Sequence, residues 1–338
     1  MPSWAGELDR HRRALFAHCY RLTGCVADAE DLVQETFARA LERPPADREA
    51  PWRPWLLRVA TRLGLDLLRR RRRRRYQGPW LPGPAPVEEL AEPPSHDLPA
   101  APGEDVAARY ELVESLSYAF LLALEVLTPR QRAVLILRDV VGLSVRETAA
   151  HLEMGEANVK TTHHRARRAM AAYEEQRRRP RSDPAELAER ARELLARLLA
   201  GDAEGLSELL ADDVCLVSDG GGEYFAAGVP IAGRERVLRF LLGVARQAGE
   251  LRAVTPLRLN GLPAFSVELA ATRPGYAPRV AILLEPGSGG RIGAIHWIAA
   301  SRKLAGVPRS RAGGHPSGAP EDGPARPPTG PGDGAGPG

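Results

Sequence analysis

The sequence predicts a multidomain chain: two all-α modules, the second with a helix-turn-helix, followed by an α+β domain with helices on one face of a curved, mainly antiparallel sheet. Three observations predict it. Apolar residues recur at helical spacing through residues 5–43, 52–75 and 106–170, the mark of amphipathic helices. Between the second and third stretches, residues 77–107 are rich in proline and lack periodicity, as a linker does. From residue 184, two amphipathic helices give way to a run of strand-like segments, the order of elements of an α+β domain. A length of 338 residues accommodates two or three such modules.

Residues 5–43 read as helices. In "DAEDLVQETFARAL" (28–41), Leu32, Val33, Phe37, Ala40 and Leu41 fall near the helical period and leave an acidic opposite face. "RPPADREAP" (43–51) breaks the pattern with proline and charge. "WRPWLLRVATRLGLDLLRRRRRRR" (52–75) restarts it, with Trp55, Leu56, Val59, Leu63 and Leu67 on one stripe and seven arginines at its end. The linker holds "YQGPWLPGP" (76–84), whose Trp80 and Leu81 are unusual for a spacer. A helix over 106–127 should bury Leu112, Leu116, Leu124 and Leu127. Residues 128–170 read as three helices: Thr128-Pro129 starts the first and Gly142 ends it. Ser144 caps the second with Glu147 in the reciprocal position, and Gly155 makes the next turn. A tight turn followed by a polar, basic helix is the sequence form of a helix-turn-helix. Beyond it, helices are expected over 184–200, 203–211 and 233–246. Strands are expected at "VCLVSD" and near 251–259, 263–271, 278–285 and 291–299. The tail after Ala305 is mostly Gly, Pro, Ala and charge, a composition that cannot offset its ordering entropy.

Charge points to a polyanion. Lys and Arg exceed Asp and Glu by only four, yet Arg69–Arg75 are consecutive, and Arg165, Arg167, Arg168 and Arg177–Arg179 form a second group. Cys19, Cys25 and Cys215 fit neither a disulfide framework nor a Cys-x-x-Cys metal site, and His18 beside Cys19 reads as core or surface. No secretory signal or bilayer-length apolar run is apparent. The expectation is a soluble, cytoplasmic protein with no metal, no cofactor and no membrane partner.

Both helical modules resemble the sigma-70-type sigma factors of bacterial RNA polymerase in their small extracytoplasmic-function form. "DAEDLVQETFARAL" resembles the helix that binds the polymerase clamp, and "RPWLLRVATRLGLDLLRRRRR" the helix that completes −10 recognition. "LTPRQRAVLILRDVVGLSVRETAAHL" with "EANVKTTHHRARR" resembles the −35-reading domain. "YQGPWLPGP", "DGGGE" and "AASRKL" are similar to three signatures of sigma factors with a fused SnoaL-like domain, a cone-shaped α+β barrel. Glu223 stands where that group has Lys, and Arg62 where many relatives have Asn. The resemblance divides the chain into region 2 (5–76), the linker (77–107), region 4 (108–178), a SnoaL-like domain (184–305) and a disordered tail (306–338).

The partners implied are core RNA polymerase, promoter DNA as −35 duplex and melted −10 strand, and a possible small-molecule ligand. Asp28, Asp31, Gln34 and Glu35 are the expected clamp contacts. Single-stranded −10 DNA needs phosphate-holding cations and a loop that cups an extruded base. Loop 43–51 with Trp52 and Trp55, and Arg58, Arg62, Arg69 and Arg70, are the expected set. A recognition helix enters the major groove N-terminus first, so Asn158, Lys160, Thr161, Thr162, His164 and Arg165 are expected at base edges. Arg146 is expected on a phosphate, while Val159, Ala166 and Met170 pack inward. "DGGGE" lacks the Gly-Lys-Ser/Thr of a phosphate loop and reads as a tight turn. Asp219, Gly220, Gly221 and Gly222, with Lys303 and Leu304, are expected to dock on Trp80, Leu81 and Pro82. No catalytic residue is assigned. The alternative is a sensing or catalytic SnoaL-like domain fused to a DNA-binding regulator, with Asp213, Asp219, His296 and Trp297 lining its cavity.

Overall fold

The computed structural model describes residues 4–44, 51–73, 76, 78–86, 114–176, 183–247 and 249–310. The first module consists of α1 (Trp4–Thr23), α2 (Val26–Glu42) and α3 (Trp52–Arg73). Gly24, at φ +67°, lets the chain reverse between α1 and α2. α3 meets α1 at Gly64, where an added Cβ would stand 2.3 Å from Leu22 Cδ2. On α2 the expected stripe is buried at Leu32, Val33 and Ala40, but Leu41 is 64% exposed. It lies about 100° round the helix from Ala40, past the edge of the buried stripe. Loop residues 45–50, Arg74, Arg75 and Arg177–Arg179 lie outside the described residues.

The second module contains α4 (Tyr118–Leu124), α5 (Pro129–Leu135), α6 (Val145–Leu152) and α7 (Glu156–Gln176). The single helix expected over 106–127 is broken at 115–117. There the Ser117 hydroxyl accepts from Phe120 N–H at 3.2 Å and starts α4 afresh. Leu116, Leu124 and Leu127 are buried as expected, and Leu112 lies outside the described residues. Capping boxes start α5 (Thr128 with Gln131) and α6 (Ser144 with Glu147). α5 runs into a π-helical turn, Ile136–Val140, and stops at Gly142, φ +81°. The turn between α6 and α7 departs from expectation: Glu153, at φ +52°, takes the left-handed conformation, and Gly155 does not.

The third domain comprises α8 (Pro184–Ala200), α9 (Ala203–Leu209), β1 (Leu210–Asp219), β2 (Ile231–Ala232), α10 (Arg234–Gln247), β3 (Glu250–Leu259), β4 (Leu262–Ala271), β5 (Arg279–Pro286) and β6 (Ile292–Ile298), then a 3₁₀ segment, Ser301–Gly306. α9 is shorter than expected because Leu210 and Ala211 already belong to β1. The sheet order is β2-β1-β6-β5-β4-β3. All pairs are antiparallel except β1 with β6. This is the expected α+β class, a mixed six-stranded sheet with helices against one face.

Strand alternation gives the sheet two buried faces. Val280, Ile282 and Leu284 of β5 pack with Leu194, Leu198 and Leu241 of the helices. Ala281 and Leu283, between them in sequence, pack on the other side with Leu81, Tyr118, Leu122 and Leu304. "RVAILLEP" is therefore nearly continuous in apolar residues because both faces are covered. The second face meets the linker and the sigma-like modules.

Candidate nucleic-acid interface and interdomain latch

α7 sorts its residues by face. Val159, Ala166 and Met170 are 1%, 0% and 7% exposed and hold the helix to its module. Asn158, Lys160, Thr161, His164 and Arg165 are exposed, and Thr162 is half-buried. Thr162 Oγ1 donates to Asn158 Oδ1 at 3.2 Å, and Thr161 Oγ1 to the Ala157 carbonyl at 3.0 Å. Asp139 takes His163 at 2.7 Å and Arg167 at 3.3 Å, so those two side chains face the module's own π turn. Arg146 is exposed on α6.

The acidic face of α2 is partly covered. Arg302 Nε donates to Asp28 Oδ1 at 2.8 Å, and a second Arg302 nitrogen donates to Asp31. These two bonds hold the guanidinium charge, raising its pKa. Gln34 is exposed, and Glu35 is bridged by Arg39 at 2.9 Å. On α3, Trp52 is buried and packs edge-on to Trp55 at 6.4 Å; in this conformation it belongs to the core. Arg58 is exposed, and Arg62 pairs with Glu153 at the end of α6. Arg69 bonds Asp66 at 2.9 Å and Arg70 the Asp66 carbonyl at 3.3 Å. Arg71 turns inward, reaching the Thr23 carbonyl at 2.9 Å and Glu125 at 3.3 Å.

The two sigma-like modules also share buried polar contacts. Thr61 Oγ1 lies 2.9 Å from His18 Nε2 and 3.1 Å from His151 Nε2 of α6. Burial first, then neighbouring positive charge, pushes His151 down to about 4; burial, then His151, pushes His18 down to about 3. Arg132, 2% exposed, donates to the Leu22 and Leu124 carbonyls and pairs with Glu125 at 2.6 Å.

Asp219 is the hub between the third domain and the rest. Its side chain is fully buried. Oδ2 accepts from Leu81 N–H at 2.7 Å and from Lys303, and Oδ1 from Gly221 N–H at 2.9 Å and from the Tyr76 hydroxyl. Its carbonyl accepts from Ala299 and Ala300 N–H at 2.8 and 3.2 Å. Burial lowers Lys303 to about 8 against the opposing pull of Asp219. Burial and the bond to Asp219 raise Tyr76, which keeps it a donor. Trp80 lies under two cations, Lys303 Nζ at 3.9 Å and Arg71 Cζ at 3.8 Å from the ring centroid. Gly221, at φ +65°, has its missing Cβ position 2.7 Å from Ala300 Cβ. Gly83 donates to the Gly24 carbonyl at 2.7 Å, and its missing Cβ would stand 2.7 Å from the Lys303 carbonyl. Residues 78–86 are thus not a free spacer: Leu81 is 2% and Ala85 1% exposed.

A second anchor sits at the β3–β4 hairpin tip, where Asn260 (φ +47°) and Gly261 (φ +81°) form the turn. Asn260 Oδ1 accepts from Tyr20 OH at 3.1 Å and Ala85 N–H at 2.8 Å, and Nδ2 donates to the Leu116 carbonyl at 2.7 Å. One side chain therefore joins both helical modules and the linker.

Two family descriptions match the helical part: Sigma-70 region 2 over residues 8–74 and Sigma-70, region 4 over residues 117–170. The ECF RNA polymerase sigma factor SigJ of Mycobacterium tuberculosis is 34% identical over 325 residues, which span 92% of this chain and 96% of that protein. The chain belongs to the extracytoplasmic-function (ECF) sigma factors. The crystal structure of the M. tuberculosis SigJ is similar to this sigma factor with a TM-score of 0.63 at 28% identity, covering 90% of this chain and 99% of that one. The ECF sigma factor SigW of Bacillus subtilis is 28% identical and covers 50% of this chain and 87% of its own length. The similarity to SigJ extends through the third domain of this sigma factor; that to SigW leaves half the chain unmatched.

The residues set out as a catalytic alternative are not brought together. His296 and Trp297 are consecutive on β6, so they face opposite ways. His296 pairs with buried Glu285 at 2.9 Å against Tyr118, while Trp297 packs on Phe240 of α10. Asp213 is exposed and Asp219 is committed to the hub. Conversely, Asn260, Arg302, Tyr76 and Arg71 were not among the expected docking residues. An Asn-Gly pair between strands signals a hairpin, but nothing local reveals that its Asn260 side chain is buried. Arg302 stood inside the quoted "AASRKL".

Proposed function

We propose that this sigma factor binds core RNA polymerase through α2 and directs promoter-specific initiation, reading −10 DNA with α3 and −35 DNA with α7, and that its C-terminal domain restrains it in cis. Catalysis belongs to the polymerase and not to this chain, and the setting is the cytoplasm. The observation that carries the restraint is the double ion pair of Arg302 with Asp28 and Asp31. These are clamp-facing carboxylates, and a polymerase surface that needs them must displace Arg302. The Arg62–Glu153 pair supports the same reading, because it joins the −10 helix to the −35 module.

Affinity for core polymerase tests the proposal. Arg302→Ala should tighten binding about 2- to 10-fold, the scale of two partly exposed ion pairs. Asp31→Lys with Glu35→Lys should weaken it. Unchanged binding for Arg302→Ala would remove the restraint while leaving sigma activity standing; unchanged binding for the double reversal would remove α2 as the clamp contact.

A further inference from the structure

Between the helices and the inner face of the sheet lies a cavity of about 450 Å³, within the ~300–1,000 Å³ range of small-molecule sites. Its floor is Val254, Val267, Ile282 and Trp297, and its helical wall includes Leu198 and Leu241. No Asp, Glu, Lys, Arg or His lines it among the described residues. Protein interiors ordinarily hold few voids larger than a water molecule, so a space of this size is a built feature. Its mouth is apolar too. Leu199, Phe225 and Leu251 are 57%, 68% and 40% exposed, and all three line the cavity. Phe225 packs edge-on to Tyr276 at 5.5 Å and over Gly275, where a Cβ would stand 2.3 Å from the ring. Exposed apolar groups gathered at one opening mark a binding site.

We propose that this cavity binds an uncharged, apolar small molecule and that occupancy tightens the Asp219 latch. A charged ligand would lose its hydration with no partner in the lining. The chain's own tail is excluded by composition, since residues 311–338 contain no Val, Leu, Ile, Met, Phe, Tyr or Trp. The coupling is covalent and short. Phe225, Ala226 and Ala227 at the mouth follow Asp219 by a single turn, and Trp297 and Ala299 in the wall precede Lys303 by a few residues. β1 and β6 run parallel and are paired at Asp219 and Ile298, so the wall residues that follow β1 and those at the end of β6 are tied to the same latch. A ligand that completes these walls binds best when they are formed, and it shifts the ensemble toward the latched form.

The test uses the full chain without polymerase, so its outcome is separable from the reading that the latch restrains initiation. N-phenyl-1-naphthylamine, a neutral probe, should bind saturably at one site per chain. 1-Dodecanol should displace it at least ~10-fold more effectively than dodecanoate, because an unpaired buried charge is costly. Val267→Trp, which fills the floor, and Phe225→Ala, which opens the mouth, should each weaken the probe at least ~3-fold, as loss of preformed apolar contact does. With probe bound, amide exchange of Leu81, whose N–H bonds Asp219, should slow at least ~3-fold, the sign of a shifted opening equilibrium. Non-saturable binding, equal displacement by the carboxylate, or affinity unchanged in both variants would overturn the site. Binding with unchanged or faster Leu81 exchange would overturn the coupling. A chain that dimerises as probe binding is lost would make a second copy the occupant and also overturn the proposal.

Discussion

Asp219 accepts hydrogen bonds from four groups on three parts of the chain, and this makes it the most consequential single side chain. Removing it leaves Lys303 buried without its counter-charge. Asp219→Ala should therefore destabilise the docked domain by about 3–5 kcal/mol, the usual cost of breaking one partner out of a buried pair. Adding Lys303→Met should recover much of that loss, and chemical denaturation of the wild type and both variants measures it. Gly221→Val puts a branched side chain at φ +65° with its Cβ against Ala300. It should lower latch occupancy, read as faster exchange at Leu81. Both glycine and aspartate were visible in the sequence as a tight turn next to a docking segment. The quadruple acceptance was not, because Tyr76 and Leu81 lie some 140 positions away in the chain.

At the scale of elements, capping chemistry was the most legible part. Thr128-Pro129 and Ser144 with Glu147 start helices where local rules place them. The misread elements are those whose ends are set by tertiary contacts. The break at 115–117 puts the Leu116 carbonyl in reach of Asn260 and the Tyr118 N–H on the Asn260 carbonyl at 3.0 Å. The linker's prolines read as a spacer because composition does not report burial, yet 81–85 are buried. The inward residues of α7 were legible from period, and its outward row forms the candidate DNA surface. Lys160→Ala with Arg165→Ala should cost about 1–3 kcal/mol per lost base contact. It should reduce promoter use and leave core-polymerase binding unchanged. Run-off transcription beside a polymerase pull-down separates these outcomes; joint loss would refute the division of labour between α2 and α7.

For the whole molecule, the contact between the two sigma modules should depend on pH through His151. Its folded pKa, about 4, lies below the ordinary 6.5, so the packed form binds fewer protons than the open one between those values. Packing is therefore fully stable above about pH 6.5 and weakens as pH falls toward 4, by up to about 1.4 kcal/mol per unit for the histidine. Small-angle scattering should show a larger radius of gyration at pH 5 than at pH 7.5, and His151→Gln should flatten the difference. The family and fold class were readable from motifs spread over the chain. The arrangement of the modules was not, since it rests on separate long-range contacts at Arg302, Arg132 and Asn260. The outer sheet face, covered by Leu81, Tyr118 and Leu122 of the same chain, has a consequence for gene dosage. A restraint held on a tether acts at a fixed effective concentration, in the millimolar range for short linkers. Under the proposed reading, every copy synthesised arrives with its own brake in one-to-one ratio. Doubling expression would double output at constant fractional activity, where a separately encoded inhibitor would be titrated away.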